Sequence, residues 1–409
     1  MKKVFGIALG IVAAMGGFVD IGDLVFNSQV GARFGFQMLW VIPIGVFGII
    51  LFSEMCGRVA AVSGRPVFDV VRERFGYRFG LLALVASGFL TFLTLCAELG
   101  GMAAILKLAT GGPLMILVLA SAAFSIGVIW LAKFTSLERI FGYLGMFLCV
   151  FIAAAIAAKP DWGEFAKGFQ PSLHHGKDSA VYLYYVVGLL AAAMTPYEVY
   201  FYSSGGVEER WTPKDLGMNR LNAIVGYGLG GLLSIAIIAT TAQTLHPIGI
   251  DPETIGSVAL SAQLPLGQWA LWAAMLGMFF AIGGATVDAG LSGAYNSAQF
   301  FGWDWGRYKK PRSVPRFTFA WLAFFGLATL IALSGIDPIK LTEYSVVLGV
   351  VALPFTYLPI LLVARDPTYM GENANGRFSH VAGWAFFALI MVVAVAAIPL
   401  MLITNLGIG

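Results

Sequence analysis

Eleven apolar stretches, each long enough to cross a hydrocarbon layer that takes roughly 20 residues of helix, occupy most of this 409-residue chain. They run at about 4–35, 37–57, 79–106, 113–132, 140–158, 180–206, 221–245, 266–300, 317–334, 341–364 and 380–404. With 59% apolar residues, 11% charged residues and a mean hydropathy of +0.83, no charged surface remains to wrap a single soluble core. In lipid every backbone N–H and C=O needs a partner within its own segment, so the fold class is an all-α polytopic membrane protein of eleven transmembrane helices. The whole of 1–409 reads as one membrane domain.

Two of the stretches are broken. Asp20-Ile21-Gly22-Asp23 interrupts the first, with Gly22 expected to loosen the helix, and Thr195-Pro196-Tyr197 interrupts the sixth. Carboxylates at membrane depth are expensive and mark functional sites. Broken helices expose backbone carbonyls and helix ends there, as in carriers that bind near the midplane. Breaks five spans apart imply two inverted five-helix repeats, 4–158 and 180–364, with 380–404 as an additional eleventh helix. Glycine runs such as Gly226 to Gly231 read as close helix contacts.

Charge placement sets the orientation. Of the 25 Lys and Arg, only Arg33, Lys107, Lys159, Lys167, Lys177 and Lys340 fall outside if the N-terminus is cytoplasmic. This asymmetry predicts a multi-pass protein of the cell membrane, as in a bacterial inner membrane, with its N-terminus inside and its C-terminus outside. Met1-Lys2-Lys3 and the apolar run behind it resemble a secretory leader, but apolar character resumes at Leu24 with no clear cleavage site before Asp20. Cys56, Cys96 and Cys149 read as small buried hydrophobes, and His174, His175, His246 and His380 fall in loops or at span ends. No phosphate loop, nucleophile elbow or clustered His/Cys set appears, so an enzyme is not expected, nor a cofactor, a nucleic-acid partner or an implied oligomer. Membrane lipid is the expected surround.

A dication at mid-membrane needs oxygens whose own burial it offsets. Asp20 and Asp23 supply two carboxylates, on one face if helical. An alternative reading makes Asp23 the N-cap of a helix restarting at Leu24, with Asp20 ending the first half. At the second break Ala192 offers a carbonyl, Thr195 a hydroxyl and Glu198 a carboxylate, although Glu198 also suits a helix N-terminus by its charge alone. Glu98 and Asp288, mid-span with no local cation, are candidates for pathway or gate together with Tyr197 and Glu198, and Asp288 suits a structural hydrogen bond equally well. Glu54 with Arg58 reads as an i, i+4 ion pair.

Gly17-Phe18-Val19-Asp20-Ile21-Gly22-Asp23, Gln29 to Gly35 and Leu39-Trp40 resemble the first-helix signature of the NRAMP transition-metal transporters. Met194 to Ser204 is similar to that family's second signature, and Leu353-Pro354-Phe355 to its tenth helix. The resemblance covers about residues 4–365 and implies a leucine-transporter-like fold, eleven spans and divalent-cation uptake. The departures share one chemical direction. Where the family reads Asp-Pro-Gly-Asn this chain has Ile21 and Asp23, and Met-Pro-His becomes Thr195-Pro196-Tyr197. A further family His is Tyr202, a third-span Asp is Leu95 beside a retained Glu98, and a tenth-span Gln is Val346.

Loss of the thioether and gain of a carboxylate favour a hard ion, so the resemblance points to the family's magnesium-transporting branch. The expected activity is uptake of Mg²⁺, and of Mn²⁺, as a partly hydrated ion, largely without proton coupling because the family's titratable positions are mostly gone. The alternatives are a proton-coupled Mn²⁺ carrier of the NRAMP type, an organic cation or amine carrier on the same fold, and a non-conducting sensor.

Overall fold

A computed structural model describes residues 19–131, 134–172, 179–252 and 254–407. Its elements are helical throughout the described residues. The first described helix, α1 (Ile21–Phe34), is the second half of the first apolar stretch, and the preceding half, with Gly17 and Phe18, lies outside the described residues. There follow α2 (Val41–Ser63), α3 (Val67–Thr110), α4 (Leu114–Leu131), α5 (Phe134–Gly145) and, after a 3₁₀ turn at Met146–Cys149, α6 (Val150–Ala157). After the short α7 (Trp162–Lys167) come α8 (Ser179–Ala192), α9 (Pro196–Glu208), α10 (Leu216–Thr244), α11 (Ile255–Leu266) and α12 (Gln268–Phe301). The chain then forms α13 (Pro315–Ala332), α14 (Pro338–Arg365), the single turn α15 (Pro367–Met370) and α16 (Arg377–Ile403). Ten of the described helical segments are long and apolar enough to cross a membrane, and α1, 14 residues long, is the described part of the first apolar stretch.

Where each helix sits follows from which faces it can leave to lipid. In α1 every residue from Ile21 to Ala32 is buried, including Asp23, Asn27, Ser28 and Gln29. A helix that polar along its length is stable at membrane depth only inside a bundle. By contrast α16 keeps only 17% of its most apolar window buried and turns Val392, Val395 and Leu402 outward. Those side chains need no protein partner in hydrocarbon. The core is organised around α3, which packs along α12 and α14, while α1 lies against α10. Gly31 permits that last contact: a Cβ there would stand 2.0 Å from Thr241 Oγ1 and 2.4 Å from the carbonyl oxygen of Ile238. Of the glycine run expected at helix contacts, Gly231 fits, since a Cβ would meet Val46 at 2.4 Å, whereas Gly228 faces open space.

The arginine-rich face is laced with ion pairs. Arg58 holds Glu54 through two nitrogens (3.2 and 3.1 Å), as the i, i+4 spacing predicts, and also reaches Asn375. Arg65 pairs with Asp69 and Glu73, Arg74 with Asp366, and Arg307 with Glu208. The hydrogen bond from Arg65 holds the Glu73 carboxyl below its ordinary range.

Several boundaries differ from expectation. The third apolar stretch is the inner part of a longer helix that begins at Val67 and bends at Gly76, where φ is 81°. Only glycine takes that backbone angle readily. The fifth stretch is interrupted by the 3₁₀ turn. Cys149, on that turn, is exposed rather than buried, while Cys56 and Cys96 are buried as expected. His246 accepts its place at a span end by bonding through Nδ1 to the Ala32 carbonyl (2.7 Å), and His174 and His175 lie outside the described residues.

Candidate functional site

The second break is present, and covalent chemistry explains it, while at the first the described chain shows a helix that begins at Ile21. Pro196 has no N–H, so the Ala192 carbonyl four residues earlier loses its helical donor and α8 ends there. Proline at the first position of α9 is favourable for the same reason. The carbonyl of Met194 is taken by the Tyr357 hydroxyl from α14 (3.1 Å), and that of Tyr197 by the Ser292 hydroxyl from α12 (3.2 Å). The break is thus held open by neighbours rather than collapsed.

At the start of α1 the cap falls on Asp20 rather than on Asp23. Asp20, in extended conformation, is the N-cap of α1, and its Oδ1 accepts from the Asp23 N–H (3.0 Å). The helix restarts at Ile21, not at Leu24, and Asp23 sits in its first turn. The order follows from reach: a cap carboxylate bonds the amide three residues ahead, and Asp20 has Asp23 at that distance. Gly22 is helical and does not loosen the chain. Its role is room, because a Cβ there would stand 3.0 Å from Asp20 Oδ1 and 3.1 Å from Val346.

The two breaks meet through Asp20 and Tyr197, whose hydroxyl donates to Asp20 Oδ2 (3.3 Å). Asp23 turns toward α10, accepting from Asn27 (3.3 Å) and Ser234 (3.4 Å) on Oδ1, while its Oδ2 is buried without a partner. Thr195 Oγ1 donates to Glu198 Oε1 (2.6 Å), which leaves the threonine lone pairs unused by that bond and Glu198 Oε2 without a partner. Glu98, fully buried on α3, accepts from the Ile21 N–H (3.4 Å) on Oε1, and its Oε2 also lacks a partner. Asp288 is half-buried on α12 and acts on Tyr197 and Glu198 through its charge.

The electrostatics of this arrangement are lopsided. The charged groups acting on Asp23, Glu98 and Glu198 are all acidic. An uncompensated buried charge costs several kcal/mol, and here these three share one region with Asp20. A dication would relieve it, as would protons. Yet no group of three His, Cys, Asp or Glu side chains converges tightly enough among the described residues to hold a metal ion by itself. Any ion here must draw on carbonyls, hydroxyls and water besides the carboxylates. A cavity of about 20 Å³ beside Asp20, Thr195 and Val346 is also lined by Thr94, Thr342 and Ser345. That volume admits about one water.

The sulfur adjacent to the second break is turned elsewhere. Met194, next to Thr195, directs its thioether at Gly48 of α2, where a Cβ would lie 2.8 Å from Sδ. Tyr202 donates to the Asn219 carbonyl and side chain (3.0 Å each), tying α9 to α10 away from the site. Leu95 is fully buried on α3.

Residues not anticipated from sequence complete the surround: Asn27 and Ser234 on Asp23, the Thr94–Ser345 pair (3.0 Å), and Glu343, which accepts from Gln29 (2.9 Å). Glu343 lies six positions into α14 near Lys340, so in sequence it reads as an interfacial charge, whereas it is 7% exposed. Its periodic relation to Val346, one turn on, was the available signal.

Known proteins share this architecture. The Deinococcus radiodurans divalent metal cation transporter MntH is 25% identical over 391 residues, covering 91% of this chain and 85% of its own length. The protein of the same name from Klebsiella pneumoniae is 25% identical over 393 residues, covering 93% and 90%. Among solved structures, the Eremococcus coleocola manganese transporter (mutant H236A) superposes with a TM-score of 0.75 at 18% identity over 95% of this chain and 85% of its own. Mhp1, a nucleobase-cation-symport-1 family transporter in a closed conformation, does so at 0.60 with 14% identity, covering 96% and 91%. The fold is leucine-transporter-like, with helices 1 and 6 broken. The family model for natural resistance-associated macrophage protein-like (Nramp) proteins matches residues 10–399, and the chain belongs to that family of metal transporters.

Proposed function

We propose that this chain carries Mg²⁺, with Mn²⁺ as a second substrate, into the cell as a partly hydrated ion and largely without protons. The observation that carries the reading is the donor set at the two breaks. Asp20, Asp23, the Ala192 carbonyl and Thr195 offer only oxygen, while the adjacent Met194 thioether packs away on α2. Mg²⁺ takes oxygen ligands in octahedral geometry and keeps several waters. Thr94, Thr342 and Ser345, which line the cavity, bring polar side chains suited to those retained waters. The ion sheds part of its shell on entry, since the cavity beside Asp20 is small in this conformation.

Uncoupled transport follows from the replacement of titratable groups. Tyr197 and Tyr202 are committed to hydrogen bonds, and Leu95 has no proton to move. The membrane potential alone contributes about 4.6 kcal/mol per 100 mV for a dication, from about 2.3 per charge. That corresponds to roughly a thousandfold accumulation. The arginine-rich face is placed in the cytoplasm, and the two inverted repeats, 4–158 and 180–364, would move against one another to alternate access.

A proton-coupled Mn²⁺ carrier is the second reading, its ion favoured by the Eremococcus coleocola manganese transporter and its proton by Glu98, whose Oε2 is unpartnered while its Oε1 accepts from the Ile21 N–H. Competition separates the two. On the Mg²⁺ reading, millimolar Mg²⁺ suppresses micromolar Mn²⁺ uptake into vesicles by about tenfold or more, the ratio of occupancies deciding it. On the second reading Mn²⁺ uptake barely changes.

A further inference from the structure

Three residues next to the central site keep buried polar atoms for which the site itself has no use. Gln29, 6% exposed, donates its amide nitrogen to Glu343 Oε1 (2.9 Å), while its Oε1 has no partner. The hydroxyl of Tyr184, on a side chain with no exposure, is likewise without a partner, and Glu343 is among the charges acting on it. Glu343 stands three residues before Val346, which packs at Gly22, so it is one turn of α14 farther from the arginine-rich face than the central site. Resting on the reading of the chain as a cation carrier, we propose that Glu343, Gln29 and Tyr184 form a second divalent-cation site on the outer side of the central one, where an incoming ion waits before α1 admits it.

The amide supplies the argument. With its NH₂ against the carboxylate, Gln29 stands in for a cation and leaves its carbonyl oxygen orphaned, which costs about 1–3 kcal/mol. Rotation of the amide by half a turn exchanges the two ends. An ion between Glu343 and the rotated Gln29 would take the carboxylate and the carbonyl oxygen together, the NH₂ turning to the side where the carbonyl now stands, and the unpartnered Tyr184 hydroxyl, on which the Glu343 charge acts, is the third ligand of the proposal. Other charges nearby do not cancel this. Arg33 is engaged with Asp251 (3.1 Å), bonds the Gly407 carbonyl and lies over the Tyr185 ring (5.3 Å). Lys340 and Asp337 also act on Glu343 and oppose one another, so one negative charge remains. A single carboxylate with neutral oxygens holds a dication weakly, as a transit site must if the ion is to leave it.

The test uses the full chain in detergent with Mn²⁺ alone as probe, counted by electron paramagnetic resonance. In the Asp20→Asn, Asp23→Asn background one weak Mn²⁺ is expected to remain, and adding Glu343→Gln should weaken it at least about tenfold, a change of about 1.4 kcal/mol. Absence of that residual ion, or its survival in the triple variant, overturns the proposal. A second readout needs no substitution: anomalous scattering from wild-type protein in high Mn²⁺ should place a peak at coordination distance from the Glu343 carboxylate, and a map with density only at the central breaks overturns it. The central site is judged separately by the loss of tight binding in the doubly substituted protein.

Discussion

Asp20→Asn with Asp23→Asn is expected to reduce vesicle uptake of Mg²⁺ and Mn²⁺ to the level of protein-free membranes. The substitutions are conservative in every respect but charge. Asparagine caps a helix about as well as aspartate, so the amide oxygen introduced at position 20 can still receive the residue-23 N–H that begins α1. An amide at 23 can keep its bonds to Asn27 and Ser234 by choosing its orientation. What disappears is two negative charges in a region where the charges acting on Asp23 and its neighbours are acidic. Removing one partner of a buried charge pair costs about 2–5 kcal/mol, or roughly 30-fold to several thousandfold in affinity for each. Calorimetry with Mg²⁺ on the purified variant, paired with its elution profile as a check on folding, reads the loss directly. Retention of half the wild-type uptake would mean that the ion passes elsewhere.

The second large effect is a change of preference. Thr195→Met is expected to turn a carrier of hard ions toward soft ones, lowering Mg²⁺ uptake by about 10- to 100-fold and admitting Cd²⁺. Thr195 brings a neutral hydroxyl oxygen to the gap of the second break, and its proton is already spent on Glu198 (2.6 Å). A thioether there replaces an oxygen that Mg²⁺ can use with a sulfur that it cannot. Glu198 loses its donor as well, which adds another uncompensated acid and reinforces the need for a bound cation. Parallel uptake of Mg²⁺ and Cd²⁺ by wild type and variant measures the ratio. An unchanged ratio would remove Thr195 from the ion's coordination.

Much of this was legible because membrane depth leaves few choices. Apolar length fixed the spans, and the second break was forced by Pro196, whose missing N–H strands the Ala192 carbonyl whatever the surroundings. The first break was legible as a place but not as a geometry. Asp20 and Asp23 are both good caps, and only the packed structure shows that Asp20 takes the position while Gly22 provides space rather than flexibility. Tertiary contacts made the other differences. Cys149 lies in an apolar stretch with no polar face to mark its direction, and it faces outward. Glu343 was not singled out, because its partner Gln29 is 314 positions away in sequence. The bend at Gly76 follows a backbone angle that no composition reveals.

The most direct test of the account is Mg²⁺ entry into proteoliposomes under an inside-negative potential, followed with a Mg²⁺-sensitive dye and a pH dye in the same vesicles. An oxygen-lined site at two helix breaks, driven by potential, predicts that Mg²⁺ enters with the wild-type chain and not with Asp20→Asn, Asp23→Asn, while internal pH stays level. Vesicles that take up Mn²⁺ but no Mg²⁺, with acidification in step, would contradict it.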